Sequence, residues 1–173
     1  MNIQTVNEIA SELFLALRKQ EKIKPLTDRY PDIDINDAYQ ISRKFLSLRE
    51  DEGEEIVGKK IGVTSKVVQE MLGVNQPDFG FLTNAMQIKN KSNFTIADSL
   101  IQPRAEAEIA FILNEDLYGP GVTKDDVISS TAKILPCFEI VDSRIDDWQI
   151  KIQDTVADNA SCGIFILGEG DPS

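Results

Sequence analysis

Histidine is absent from the 173-residue sequence. That removes the commonest acid–base group near neutral pH and the commonest ligand for zinc, copper and iron. Cysteine is scarce: Cys137 and Cys162 each sit in an apolar stretch and are expected as buried thiols, not as a disulfide or a reactive pair. Chemistry is left to carboxylates, Lys, Tyr, Ser or Cys, and a metal site would be oxygen-rich, which favours Mg²⁺, Mn²⁺ or Ca²⁺. Long apolar runs are missing too. None approaches the roughly 18 residues of a spanning helix. The start, Met1-Asn2-Ile3-Gln4, lacks the basic and apolar regions of a signal peptide, so a cytoplasmic location is expected. Basic residues are outnumbered, 18 against 29 acidic ones, giving a formal charge of -11. Such a chain repels a phosphate backbone and an anionic membrane surface, so neither nucleic acid nor membrane is an expected partner.

What is present suits a globular protein, with 42% hydrophobic residues and length enough for one domain with a core plus a small appendage. Thr5 followed by Glu8 reads as a capping box, and Ile9, Leu13 and Leu17 recur at helical spacing, so a helix is predicted over residues 6–19. A second helix is predicted from about Asp34, with Ala38, Ile41, Phe45 and Leu48 on one stripe, after a loop marked by Pro25, Asp28, Pro31 and Asp32. Beyond Gly53 the character changes. Strand-like runs follow at Ile56–Val63, Phe81–Ile88, Ala105–Leu113, Ile134–Val141 and Cys162–Leu167. Two helices interrupt them, one from Thr64 or Ser65 and one from Thr123, where Asp126 completes a capping box. Several strands with few helices predict an α+β fold: a helical cap over 1–53 and a sheet-rich catalytic portion over 54–173. The final strand runs into Gly170-Asp171-Pro172-Ser173, which reads as the beginning of a loop.

Three carboxylates interrupt runs that are otherwise apolar. Glu106 and Glu108 open Ala105–Leu113, and in a strand residues two apart share a face, with Cα atoms roughly 7 Å apart. Glu139 repeats the anomaly within Ile134–Val141. Burying an unpaired carboxylate costs several kcal/mol, so three in strand cores need a cation or raised pKa values, and one divalent metal answers all three. On residue chemistry alone the alternative stands beside it: each Glu faces solvent or pairs with an arginine such as Arg104 or Arg144.

Further candidates flank these. Lys60 lies in a strand between Gly58 and Gly62 on one face, with room beside it to bind a carboxylate or, with a lowered pKa, to move a proton. It could equally be the outward member of the Lys59–Lys60 pair. Asp78 in Gln76-Pro77-Asp78-Phe79-Gly80 has turn composition. Residues 154–163, Asp-Thr-Val-Ala-Asp-Asn-Ala-Ser-Cys-Gly, place small polar groups before a strand, as a ligand-binding loop or a capping turn would.

Taken together, the blocks GKKIGVTSKVVQEMLGVNQPDFG (58–80), QPRAEAEIAFIL (102–113), LPCFEIVDSRIDDW (135–148) and DTVADNASCG (154–163) resemble the 2-hydroxypenta-2,4-dienoate hydratase and 4-oxalocrotonate decarboxylase family of the fumarylacetoacetate hydrolase superfamily. The resemblance runs over the whole chain. It implies a mixed β-sandwich roll, similar to the C-terminal domain of that superfamily, with an N-terminal helical appendage and with further strands that relatives carry past the position of Ser173. It also implies Mg²⁺ or Mn²⁺ on Glu106, Glu108 and Glu139, a substrate pocket lined by Lys60, Asp78 and Ser161, and a homo-oligomer acting on a small 2-hydroxy- or 2-oxo-dienoate. The QPDFG block and the Asp146-Asp147-Trp148 aromatic look more like the hydratases than the decarboxylases. A shortened, non-catalytic oligomerising remnant is the third expectation.

Overall fold

A computed structural model describes residues 1–170 of the chain, so the loop expected at the C-terminus lies almost wholly outside the described residues. The first fifty residues form helices α1 (Ile3–Lys19), α2 (Leu26–Arg29) and α3 (Ile35–Asp51). Helix α1 begins earlier than the capping-box reading placed it. Asn2 is the N-cap, its side chain accepting the Thr5 N–H at 2.9 Å, so Thr5 lies inside the first turn. Helix α3 starts at Asp34, in a capping box with Asp37. The buried stripes of both helices, Val6, Ile9, Ala10 and Leu13 against Ala38, Ile41 and Phe45, meet Leu26 of α2 and, from far along the chain, Ile145, Val156 and Ala157. The helical start therefore shares one core with the segment that follows the glutamate strands.

Strand β1 (Ile56–Gly62) pairs antiparallel with β2 (Asp78–Thr83), and helix α4 (Lys66–Leu72) lies between them, capped by Ser65. The strand expected over Phe81–Ile88 instead starts at Asp78 and stops at Thr83, where a short 3₁₀ turn, Asn84–Met86, takes over. Asp78 is accordingly the first residue of a strand and buried, not a turn residue. Strands β3 (Arg104–Leu113), β4 (Thr131–Val141) and β5 (Ile164–Leu167) form a separate antiparallel sheet in that order. Helix α5 (Lys124–Ser129) sits between β3 and β4 and carries the predicted Thr123–Asp126 capping box.

The segment read as a polar loop before the last strand is mostly ordered: helix α6 (Ile152–Ala157) runs into a tight turn, Asn159–Ser161. Residues 159, 160 and 161 all have φ between 50° and 54° although none is glycine. Left-handed backbone costs an ordinary residue about 1 kcal/mol or more, so three in a row persist only where the surroundings fix them. No described helix is long and apolar enough to cross a membrane.

Candidate metal centre

Register places the three glutamates. Glu106 lies directly across from Glu139 in the β3–β4 ladder, and Glu108, two residues along β3, pairs with Cys137 on the same face. One carboxylate oxygen from each lies within 4.8 Å of the others. Glu139 is buried, whereas Glu106 and Glu108 are exposed, so the cluster sits at the mouth of the sheet face rather than in a sealed core. Of the arginines offered as alternative partners, Arg104 stacks on Trp148 at 4.2 Å and Arg144 pairs with Asp158 at 2.5 Å. Neither of those arginines is accounted for by a glutamate of the cluster.

Lys60 reaches the cluster from the other sheet. Its Nζ lies 3.1 Å from Glu139 Oε2 and donates to the Ala160 carbonyl at 3.2 Å. Burial works to lower the Lys60 pKa, but the electrostatic pull of Cys162, Glu139 and Glu106 outweighs it and leaves the ammonium above its ordinary range. Burial pushes the Cys162 thiol up to about 12, so at neutral pH the carboxylates carry that pull. The lysine is a firmly held cation. The lowered pKa that free-base chemistry would need is not found in this state. Glu139 moves up: burial dominates, Lys60 opposes it, and Glu106 and Glu108 add repulsion.

Gly62 and Gly80 explain how these groups fit. Lys60 faces Gly80, and Gly62 faces Asp78, so all four lie on one face of the hairpin. A Cβ at Gly62 would run into Asp78 Oδ1, so glycine there makes the room that the carboxylate occupies. Gly58, by contrast, would meet only Leu82 at ordinary contact, and its space is not needed. Burial raises the Asp78 pKa, with the Lys60 charge pulling back only in part.

Polar groups without partners concentrate here. Among the described residues six buried side-chain oxygens lack a hydrogen bond, and four of them are Asp78 Oδ1 and Oδ2, Glu139 Oε1 and Ser161 Oγ. Native proteins rarely leave such atoms unsatisfied without a use for them. The donor set also fits a hard divalent cation, because it is all carboxylate and one buried oxygen waits for a partner. Lys60, Asp78, Glu106, Glu108, Glu139 and Ser161 thus come from five separate stretches of sequence, and the fold gathers the three glutamates and Lys60 into direct range. The sequence reading named Asn159 and Asp158 only within the polar 154–163 segment and gave neither a role; the Asn159 side chain bonds both the N–H and the carbonyl of Phe81, and Asp158 rather than a glutamate partners Arg144. No periodicity signals either one. A groove along α1, lined by Ile3, Asn7, Ser11, Leu15 and Lys19 among others, lies away from this chemistry.

Known proteins define the class first. The fold superimposes on 4-oxalocrotonate decarboxylase from Pseudomonas putida G7, complexed with magnesium and adipate, with TM-score 0.93 and 31% identity, over 97% of this chain and 64% of that one. The same enzyme complexed with calcium and acetate matches with TM-score 0.90. By sequence the chain is 58% identical to a 2-hydroxypent-2,4-dienoate hydratase of Pseudomonas putida, over 98% of this chain and 76% of that protein. It is 57% identical to a 2-hydroxyhexa-2,4-dienoate hydratase of Comamonas testosteroni, over 96% of this chain and 63% of that protein. No protein-family model matches the chain. The chain belongs to the 2-hydroxypentadienoate hydratase family, whose members are hydro-lyases. It spans about three quarters of one hydratase relative and a little under two thirds of the other.

Proposed function

We propose that this chain carries the metal-binding and proton-handling part of a hydratase that converts 2-hydroxypenta-2,4-dienoate to 4-hydroxy-2-oxopentanoate in the breakdown of aromatic compounds. The convergence of Glu106, Glu108 and Glu139 oxygens within 4.8 Å, with Glu139 Oε1 buried and unpaired, carries this reading. These residues would hold Mg²⁺ or Mn²⁺, and the bound cation would supply Lewis-acid polarisation of the substrate carboxylate and 2-oxygen. In the same reading residues 1–53 form a helical cap, and residue 54 onward belongs to a β-sandwich roll in a cytoplasmic enzyme.

The chain's own groups divide the remaining work. Lys60, held as an ammonium, binds the negative end of the substrate. The reaction takes the proton from the 2-hydroxyl, delivers one to C5 to give the 2-oxo-3-enoate, and adds water across C3 and C4 with the hydroxyl at C4. Asp78 carries these protons in this reading, supported by its place on the same hairpin face as Lys60 and by burial that raises its pKa. The unpartnered Ser161 hydroxyl is free to orient water or the enol.

Likeness to 4-oxalocrotonate decarboxylase supports a second reading, loss of CO₂ from a longer dicarboxylate through the same 2-oxo group. Sequence identity of 58% to a hydratase favours the first. Incubation of the chain with each substrate and Mg²⁺ or Mn²⁺, following dienol absorbance and CO₂, separates them. Hydration without CO₂ is expected, and Glu106→Gln and Glu108→Gln should each lose on the order of 100-fold in turnover. Full turnover in both variants would sink the ligand assignment. A folded chain inert with every divalent metal would favour a non-catalytic oligomerising remnant.

A further inference from the structure

The candidate site is split between two sheets that share no strand pairing among the described residues: Lys60 and Asp78 stand on β1–β2, and the three glutamates on β3–β4. We infer that the left-handed turn Asn159–Ser161 sets the register between these sheets, with Asn159 and Gly80 as its positioning residues. This rests on the functional reading above only for its catalytic consequence.

The Asn159 side chain is the bracket. Its Oδ1 accepts the Phe81 N–H at 2.8 Å and its Nδ2 donates to the Phe81 carbonyl at 2.9 Å. A strand residue points its N–H and C=O to the same edge in an antiparallel ladder, so one amide side chain occupies the place of a neighbouring strand there. Asparagine is also one of the few residues that enters left-handed backbone readily, which the φ of 54° requires. Gly80 lets the turn come close. A Cβ there would lie 2.6 Å from the Asn159 carbonyl oxygen and 2.8 Å from Cys162 Sγ. Once seated, the turn offers the Ala160 carbonyl to Lys60 Nζ, which aims the lysine at Glu139.

The other side of the turn is fixed to the glutamate sheet. The Asp142 N–H, just past the end of β4, donates to the Ser161 carbonyl at 2.8 Å. Buried Arg144 donates to the Asp158 carbonyl at 2.7 Å and the Cys162 carbonyl at 3.0 Å, and its Nε meets Asp158 Oδ1 at 2.5 Å. The turn is thus rigid toward β4 and hooked to β2 by one side chain. Further ties hold the hairpin elsewhere: Ile88 N–H donates to the Phe165 carbonyl at 2.9 Å beyond the end of β2, Arg49 donates to the Thr83 hydroxyl at 3.2 Å at that end, and Tyr39 of α3 stacks on Phe79 at 4.7 Å, on the hairpin face away from Lys60.

Asn159→Gly keeps the backbone freedom and removes the amide, and Gly80→Ala pushes the turn away while leaving the amide. Amide hydrogen exchange, Mn²⁺ titration and turnover of 2-hydroxypenta-2,4-dienoate are measured on the full chain. In both variants exchange at 78–83 should rise about 10-fold or more while that at 104–113 stays put, because only the hairpin is released. Mn²⁺ binding should be kept, or strengthened as the Lys60 charge leaves Glu139, since every proposed ligand sits on the other sheet, while kcat falls about 10-fold or more. Unchanged hairpin exchange would overturn the inference, and so would a joint rise in both sheets with loss of Mn²⁺ binding, which marks a merely structural role. Should the unaltered chain bind no Mn²⁺ or turn nothing over, the functional reading falls and the exchange arm alone decides the bracket.

Discussion

Asp78 is buried with both oxygens unpaired, and a glycine across the ladder gives it space it would be cheaper not to need. Its raised pKa means that the folded chain holds the Asp78 proton more tightly than the unfolded chain does. The stability it contributes is therefore complete below the ordinary carboxylate range and is lost as pH rises through the folded-state value. Asp78→Asn removes the charge at nearly constant volume. The variant should gain about 1 kcal/mol in urea unfolding at pH 8 and little or none at pH 4, and it should lose turnover. Equal stability difference at both pH values would show that Asp78 is solvated or paired in solution. The side-chain types of the metal cluster were legible because a charged residue in a β-period run is an anomaly. Partner choice was not: nothing in the sequence separates Arg144 facing a glutamate from Arg144 facing Asp158.

Elements were legible where period and length agreed. The 3.6-residue stripes of α1 and α3 and the alternation around Glu106, Glu108 and Glu139 set type and face correctly. Short helices were legible where a cap marked them, as Ser65 and Thr123 mark α4 and α5; α6 and the turn after it were not, since they are built from small polar residues that a loop also uses. The start of α1 shows a subtler failure. Thr5 and Glu8 match a capping box, yet Asn2, three residues earlier, also caps well, and Val6 belongs to the core stripe, so the helix extends to reach it. The charged N-terminus then meets Asp37 of α3 at 2.7 Å. Asn2→Ala should lower stability by about 1 kcal/mol in urea denaturation, and Thr5→Ala by less than half of that, because only Asn2 accepts a backbone N–H of the first turn. The reverse order would restore the capping-box reading.

At the scale of the whole molecule, the three-stranded sheet has two unlike faces. One carries the glutamates. The other presents cross-strand apolar pairs, Ala107 with Phe138, Ile109 with Pro136 and Phe111 with Ile134, and Ile109 is 64% exposed and Phe138 57%. Strand β3 also has no neighbour on its outer edge among the described residues. We propose that this apolar face beside an open edge is the surface that the homo-oligomer implied by the family resemblance would cover with a second copy. Net charge of -11 opposes that association at low ionic strength, so added salt should strengthen it. Light scattering of the 19.3 kDa chain should give a multiple of the monomer mass, shifting upward between about 20 mM and 300 mM salt. Phe138→Ser combined with Ile109→Thr should return it to monomer while Mn²⁺ affinity holds, because the glutamates face the opposite way. A monomer at every salt and protein concentration would leave that face to some other covering polypeptide and would overturn the expected homo-oligomer, with the metal site untouched.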